Sequence, residues 1–427
     1  MTLVVFLVSL IIAVMIGMPI AFSLLFSGVA IMIYLNGFNS MILSMNLFAG
    51  ADSFALMAIP FFILAGEFMN RGGITQRIVN FANALVGHIK GGLAYVSILA
   101  ILLFAAMIGS AVASAAALGG ILIPMMVRAN YKRDKVTGLI AAGNILSPIM
   151  PPSVPLIIFG VQAGVSITSL FIAGIVPAIY LTVILCATWF IVSRKDNLQT
   201  NERQSVTQVL KALLDGLWAI LLPVFILLGL RSGMFTPTEA GVIAAVYALV
   251  VGVVVYRELK IRDLLDCLVT AAKASSVIMF LAAAATVSSW LLTVGNVPQI
   301  MTSVLEPFID QPVILMLIIA VLVVLIGMAL DVTPIIMILT PVLLPVVTAA
   351  GIDPIYFGVT FVLMCMIGLL TPPVGNVLNV TSKAGNISME RMVKAVWPFL
   401  LAEIILIVLI ILFPALIEVP LRLLVGN

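Results

Sequence analysis

Apolar runs separated by short polar, glycine-rich or proline-rich stretches set the pattern of this chain from end to end. Leu3 to Ile16, Ile20 to Tyr34 and Phe54 to Met69 read as the first helices, with a loop from Asn36 to Ser53 that has no basic residue. A polar stretch holding Arg71, Arg77 and Lys90 follows. Leu93 to Met107 then runs into the small-residue turn Gly109 to Ala113, and Ser114 to Val127 runs out of it. Each arm is shorter than the ~17 residues that crossing a bilayer takes, so the two predict a re-entrant helical hairpin over 93–127 with its tip near the bilayer centre. A helix starting at Lys135 breaks at SPIMPPSVP and resumes toward Val161, a broken helix over 135–163, and Leu170 to Val192 closes this half.

Between Ser193 and Thr207 the chain turns polar, which predicts a cytoplasmic linker over 196–209. Leu210 to Leu230 reads as a span. Thr236 to Glu239 has capping-box spacing with proline at the first helical position, so a helix starts there and runs to Tyr256. Ala274 to Leu292 follows a basic lead-in. A second hairpin over 312–348 turns at Ala329 to Thr333, a second broken helix over 354–383 breaks at TPPVGN, and Trp397 to Phe413 finishes the chain.

The two halves carry one design. Shifted by 221 positions without a gap, Gly109 to Pro155 lands on Leu330 to Asn376, so Pro124 falls on Pro345 and Pro151, Pro152 fall on Pro372, Pro373. Ser110 then faces Asp331, and Ser153 lies near Asn376. Helix breaks at membrane depth persist only where they line a cavity or a site, and breaks in matching places of two halves point to a transporter. The expected organisation is a first repeat over 1–195 and a second over 210–427.

Composition fixes the class. Of 427 residues 63% are hydrophobic and 9% charged, with a mean hydropathy of +1.33, against roughly 25% charged residues in a soluble domain. The chain reads as an all-α polytopic membrane protein in contact with lipid, and its net charge of +3 gives no reason to expect nucleic acid. Cys186, Cys267 and Cys365 lie far apart, which implies neither a disulfide framework nor a metal set. The single histidine, His88, suits a structural or surface role. Thr2 to Met18 has no basic residue ahead of it and no cleavage site, and reads as a retained span.

Charge asymmetry sets the orientation. RANYKRDK after the first hairpin holds Arg128, Lys132, Arg133 and Lys135, whereas its partner AAGIDPIY holds no basic residue. Counting positive charge inside places the first loop in the cytoplasm and the second outside, so the repeats are inverted. Arg71, Arg77, Lys90, Arg194, Lys195, Arg203, Lys211, Arg257, Lys260, Arg262, Lys383, Arg391 and Lys394 then fall inside, Arg231 and Arg422 outside, and both termini are external.

Broken helices present unpaired backbone groups, and a dehydrated sodium ion wants several oxygens of that kind. The first half offers Gly109, Ser110, Ser114, Asn144, Ser147 and Ser153. The second offers Asp331, Thr333, Thr371, Gly375, Asn376 and Asn379. Helix N-termini restarting behind Pro152 and Pro373 would suit an anionic, carboxylate-bearing solute. Asp331 stands out, because an acid at helix centre costs roughly 2.5–3.5 kcal/mol on insertion and marks a functional candidate; the lesser alternative is a cap on the helix starting at Pro334, and it could do both. Ser110 and Ser114 could equally serve close helix packing. Glu67 and Glu403 read as interface or partner residues.

Together, GSAVASAAALGGILIPMM, SPIMPPSVP, DVTPIIMILTPVLLPV, GIDPIYFGV and TPPVGN resemble the large membrane subunit of tripartite ATP-independent periplasmic (TRAP) transporters, and TPPVGNVLNV is similar to the sialic-acid branch. The resemblance covers most of the chain. It implies a bacterial inner-membrane, sodium-driven elevator transporter with no other cofactor. It also implies two partners: a small four-helix membrane subunit, expected as a separate polypeptide since the chain begins with large-subunit spans, and a periplasmic substrate-binding protein. Carried over, sodium would lie between the first hairpin tip and the Asn144 to Ser153 break, and between Asp331 to Thr333 and the Thr371 to Asn376 break. Substrate would sit between them, near Ser110, Ser114, Ser153, Asp331 and Asn379. Residue chemistry alone also admits a stand-alone sodium-coupled carboxylate carrier. A channel suits polar hairpin tips less well, and an intramembrane aspartyl protease would need a second acid at the depth of Asp331.

Overall fold

Twenty α-helices make up the computed structural model, which describes residues 1–196, 198 and 204–425 and, within them, contains no strand. The first group is α1 (Thr2–Met15), α2 (Ile20–Tyr34), α3 (Ser40–Ala51), α4 (Ala58–Arg71) and α5 (Ile74–Val86). The hairpin α6 (Gly92–Ile108) and α7 (Ala111–Arg128) follows, then the broken pair α8 (Arg133–Asn144) and α9 (Val154–Ala163), then α10 (Ile167–Ser193). The second group is α11 (Val206–Arg231), α12 (Pro237–Val250, continued by a π turn over Val251–Val255), α13 (Ile261–Val294) and α14 (Val297–Leu305). A second hairpin, α15 (Pro312–Gly327) and α16 (Val332–Ala349), leads to the broken pair α17 (Pro354–Leu370) and α18 (Asn376–Gly385), then α19 (Met389–Leu412) and α20 (Ala415–Val425). Of the expected linker 196–209, residues 197 and 199–203 lie outside the described ones, Arg203 among them; so do residues 426–427 at the end of the second repeat.

The local signals act where the residues place them. Thr236 and Glu239 form the reciprocal capping box that starts α12, and Ser205 with Gln208 forms another at α11. The shift of 221 holds at the level of elements: α7 and α16 start at 111 and 332 and end at 128 and 349, and α8 and α17 start at 133 and 354. Each break contains a cis peptide at its proline pair, Pro151–Pro152 and Pro372–Pro373.

Three expectations are corrected. The stretch from Asn36 to Ser53 is not a loop throughout, because Asn39 Oδ1 accepts from Met41 N at 2.9 Å and caps α3. The polar stretch after Arg71 is the amphipathic helix α5, and α14 and α20 are further short helices that the run lengths did not announce. The outgoing hairpin arms are also longer than expected. With 18 residues each, α7 and α16 start directly behind Ser110 and Asp331 and reach about 27 Å, within the range for a span. In all, seven helices are long and apolar enough to cross a membrane among the described residues.

Helix packing gathers most of these elements into two bodies, which are joined where α5 packs on α6 and where α13 and α14 pack on α16. In one, α4 lies along α12, α2 and α3 along α13, and α5 along α11; Ser288 donates to Leu24 O at 2.9 Å and Thr238 to Phe54 O at 2.8 Å. In the other, the halves interlock: α8 packs on α19, α7 on α18, α9 on α16 and α15 on α17. In lipid there is little hydrophobic drive between helices, so close backbone approach at small residues carries much of the association. Gly327 and Gly368 show this most directly, since a Cβ built on Gly368 would come within 2.5 Å of the Gly327 Cα.

Candidate functional site

Each hairpin tip lies against the break of its own half. Gly109 ends α6 at φ +64°, where a Cβ would stand 3.1 Å from Val154 N and 3.3 Å from Pro152 O. Glycine therefore meets both the left-handed backbone and the close approach. Ser110 caps α7, its hydroxyl accepting from Ala113 N at 3.4 Å. One turn on, the buried Ser114 donates to Asn144 Oδ1 at 2.6 Å, and Asn144 Nδ2 donates to Ile140 O at 2.6 Å. Ser153 donates to the Pro148 carbonyl and accepts from Leu156 N at 3.3 Å as the cap of α9. Ser147 is buried in the same break with no partner for its hydroxyl among the described residues.

The second half repeats the arrangement with different groups. Asp331 caps α16, accepting from Val332 N at 2.8 Å, and Gly375 N donates to Met328 O at 3.3 Å, which joins the break to the hairpin tip. Thr371 donates to Ile367 O at 2.7 Å and Asn379 Nδ2 to Val374 O at 2.9 Å. Thr333 and Asn376 are half-buried and make no side-chain hydrogen bond among the described residues.

A cavity of about 940 Å³ lies between the two bodies. One wall is Gly109, Ser110, Asp331 and Thr333 at the hairpin tips, with Pro148 and Pro155 from the first break. The opposite wall comes from α2, α4 and α13 and bears Glu67, Asn70, Thr270 and Ser276. Asp331 is surrounded by protein yet its side chain opens onto this space, so it serves both as helix cap and as cavity wall. Among the described residues the lining holds two acids, Glu67 and Asp331, and no lysine, arginine or histidine.

Of the residues expected around a substrate, Ser110 and Asp331 both line the cavity, whereas Ser114, Ser153 and Asn379 lie outside its lining, bonded to the neighbouring helix or to the breaks. Asn144, Ser147, Thr371, Gly375 and Asn376 likewise belong to the breaks and lie outside the lining. Sequence reasoning missed Asn70, Thr270 and Ser276, and placed Glu67 at an interface. Its signal was an acid in an apolar run, but which face it takes depends on packing against α13. Glu403 is corrected in the other direction: it is 1% exposed inside α19, with neither carboxylate oxygen partnered among the described residues.

The chain matches the family described as the tripartite ATP-independent periplasmic transporter, DctM component, over residues 7–416. It belongs to the TRAP large-permease family. It is 47% identical over 422 residues, 99% of either chain, to the 2,3-diketo-L-gulonate TRAP transporter large permease protein of Escherichia coli. It is 38% identical over 398 residues, 93% of either chain, to the sialic acid TRAP transporter large permease protein of Vibrio cholerae. The fold is shared with the Alcanivorax borkumensis YdaH transporter, whose crystal structure is described as having an unusual topology, at TM-score 0.63 and 14% identity over 89% of this chain and 88% of that one. A TRAP large permease is a transport subunit and not an enzyme, and membership implies a small membrane subunit and a periplasmic binding protein beside it.

Proposed function

We propose that the chain is the membrane-crossing part of a sodium-driven symporter for a sugar-derived carboxylate. The observation that carries this reading is the cavity between the bodies, polar at the hairpin tips, with Ser110 and Asp331 both in its wall and two acids in its lining. An anion entering a space with two carboxylates and, among the described residues, no basic side chain in its lining needs compensating charge. Sodium bound behind the wall supplies it, at the unpartnered Ser147 hydroxyl and the Asn144 to Ser153 break on one side, and at Thr333, Thr371, Gly375 and Asn376 on the other. Ion and cargo are then coupled because the carboxylate is welcome only when the cations are in place.

The two halves work as inverted repeats in a bacterial inner membrane, with basic loops in the cytoplasm and both termini in the periplasm. The interlocked body of hairpins and broken helices moves as a unit against the body formed by α1–α5 and α11–α13, an elevator motion that carries the site across. Cargo arrives from the binding protein and the small subunit braces the static body. Sialic acid and 2,3-diketo-L-gulonate, the cargoes in the names of two relatives, share a carboxylate and a hydroxylated carbon chain, so that pair is tested first.

The test is uptake of each radiolabelled acid into proteoliposomes by the chain alone, with its small subunit, and with small subunit plus binding protein, under an inward sodium gradient. Uptake confined to the complete, sodium-energised mixture is expected. Uptake by the chain alone would mean a stand-alone carrier, and full uptake without sodium would overturn the coupling.

A further inference from the structure

Among the described residues the cavity has no basic side chain in its lining, but its α4 wall leads to one and its α13 wall to that residue's partner. On α4 the lining residues Glu67 and Asn70 are followed at once by Arg71, four residues beyond Glu67 and so on the same side of the helix. On α13 the lining residue Thr270 stands four residues beyond Asp266. Arg71 and Asp266 meet across the gap, Nη1 to Oδ2 at 3.1 Å, with side chains 36% and 66% exposed. Each wall, continued by one turn, therefore ends in the same ion pair, at the side of the cavity where Asn70 and Thr270 are exposed.

Only Nη1 of Arg71 is engaged in a side-chain bond among the described residues. A guanidinium carries five N–H donors in a planar fork suited to two-point contact with a carboxylate. Its remaining edge is open. We propose that Arg71 is a rim station for the carboxylate cargo after it leaves the hairpin tips, with Asp266 holding the fork in place and moderating its charge. The reading rests on the carboxylate transport proposed above and on the basic face being cytoplasmic, so the rim is the exit to the cytoplasm. An exit station lowers the cost of leaving a site whose walls are acidic, and it acts only on the inner side.

Counterflow in proteoliposomes with the complete complex tests this, because binding protein supplied outside engages only molecules whose periplasmic face points outward. The readout is the ratio of internal to external half-saturating cargo concentration, with sialic acid and 2,3-diketo-L-gulonate as probes. Arg71→Gln should raise that ratio about fivefold, the scale of one exposed charged contact, and the effect should shrink at high ionic strength. Asp266→Asn, which leaves the cation less neutralised, should lower the ratio, and Arg71→Lys should fall between wild type and Arg71→Gln. A pair that merely staples α4 to α13 predicts that Arg71→Gln and Asp266→Asn impair transport alike with the ratio unchanged, and that result overturns the proposal. Wild-type complex that carries neither acid overturns the carboxylate reading itself, and this inference with it.

Discussion

Asp331 holds two roles that substitution can separate. Its oxygen caps α16 through Val332 N and its charge faces the cavity. Asn keeps an acceptor at the cap position and removes the charge, so Asp331→Asn should leave the melting temperature of the purified protein nearly unchanged while uptake measured under a sodium gradient falls at least about tenfold, roughly 1.4 kcal/mol. Asp331→Ala should lose uptake and about 1 kcal/mol of stability as well. Equal uptake by wild type and Asp331→Asn would reduce this residue to a cap. Glu403 presents the opposite case. A buried carboxylate opposes folding when, as here among the described residues, nothing pairs with it, so Glu403→Leu should raise the melting temperature by a few degrees, and a clear loss would mean that the acid is stabilising after all. Asp331 was legible in the sequence because an acid stood in an apolar run beside a turn. The same signal misled for Glu67 and Glu403, since composition reports that an acid is present but not what its helix face meets.

Among the elements, glycine, serine and proline wrote the hairpins and breaks plainly into the chain, and the shift of 221 fixed their pairing before any contact was known. The short helices α3, α5, α14 and α20 were not legible, because their stability comes from caps and tertiary packing rather than from a run long enough to cross a bilayer. Ties between elements were equally hidden. Asp196, just beyond the end of α10, accepts from Lys132 at 2.7 Å and Lys135 at 2.6 Å and so clamps the entry to α8. Burial pushes its carboxyl upward, but the hydrogen bonds and charges of the two lysines outweigh that and hold it below the ordinary carboxylate value. A depressed folded-state value means that the clamp stabilises fully above the unfolded value, near 3.8, and is lost as pH falls through the folded one. Asp196→Asn should therefore lower the melting temperature at pH 7, by the equivalent of about 1–2 kcal/mol. Its deficit should be the same at pH 5 and vanish only in stronger acid. A deficit that already shrinks between pH 7 and pH 5 would mean that Asp196 is not held below its ordinary value.

For the whole molecule, the duplication was readable but the division into two bodies was not. The sequence grouped residues by half, 1–195 and 210–427, whereas packing regroups them: α1–α5 join α11–α13 across the linker, and the hairpins and broken helices of both halves interlock. The cavity lies on the seam, with Ile63 on α4 in one wall and Ala117 on α7 in the other. If transport is movement of one body against the other, a covalent bridge across the seam must stop it while a bridge within one body must not. Cysteines at Ile63 and Ala117, in a background free of Cys186, Cys267 and Cys365, should leave uptake measurable until a bis-maleimide is added, and uptake should then fall to background. A bridge from α8 to α19, both in the interlocked body, should leave uptake intact under the same reagent. Continued uptake with Ile63 and Ala117 joined would place the moving seam elsewhere. Arrest by both bridges would mean that the interlocked body itself rearranges, so that the site would cross the membrane by deformation of the hairpins and not by their displacement as a unit.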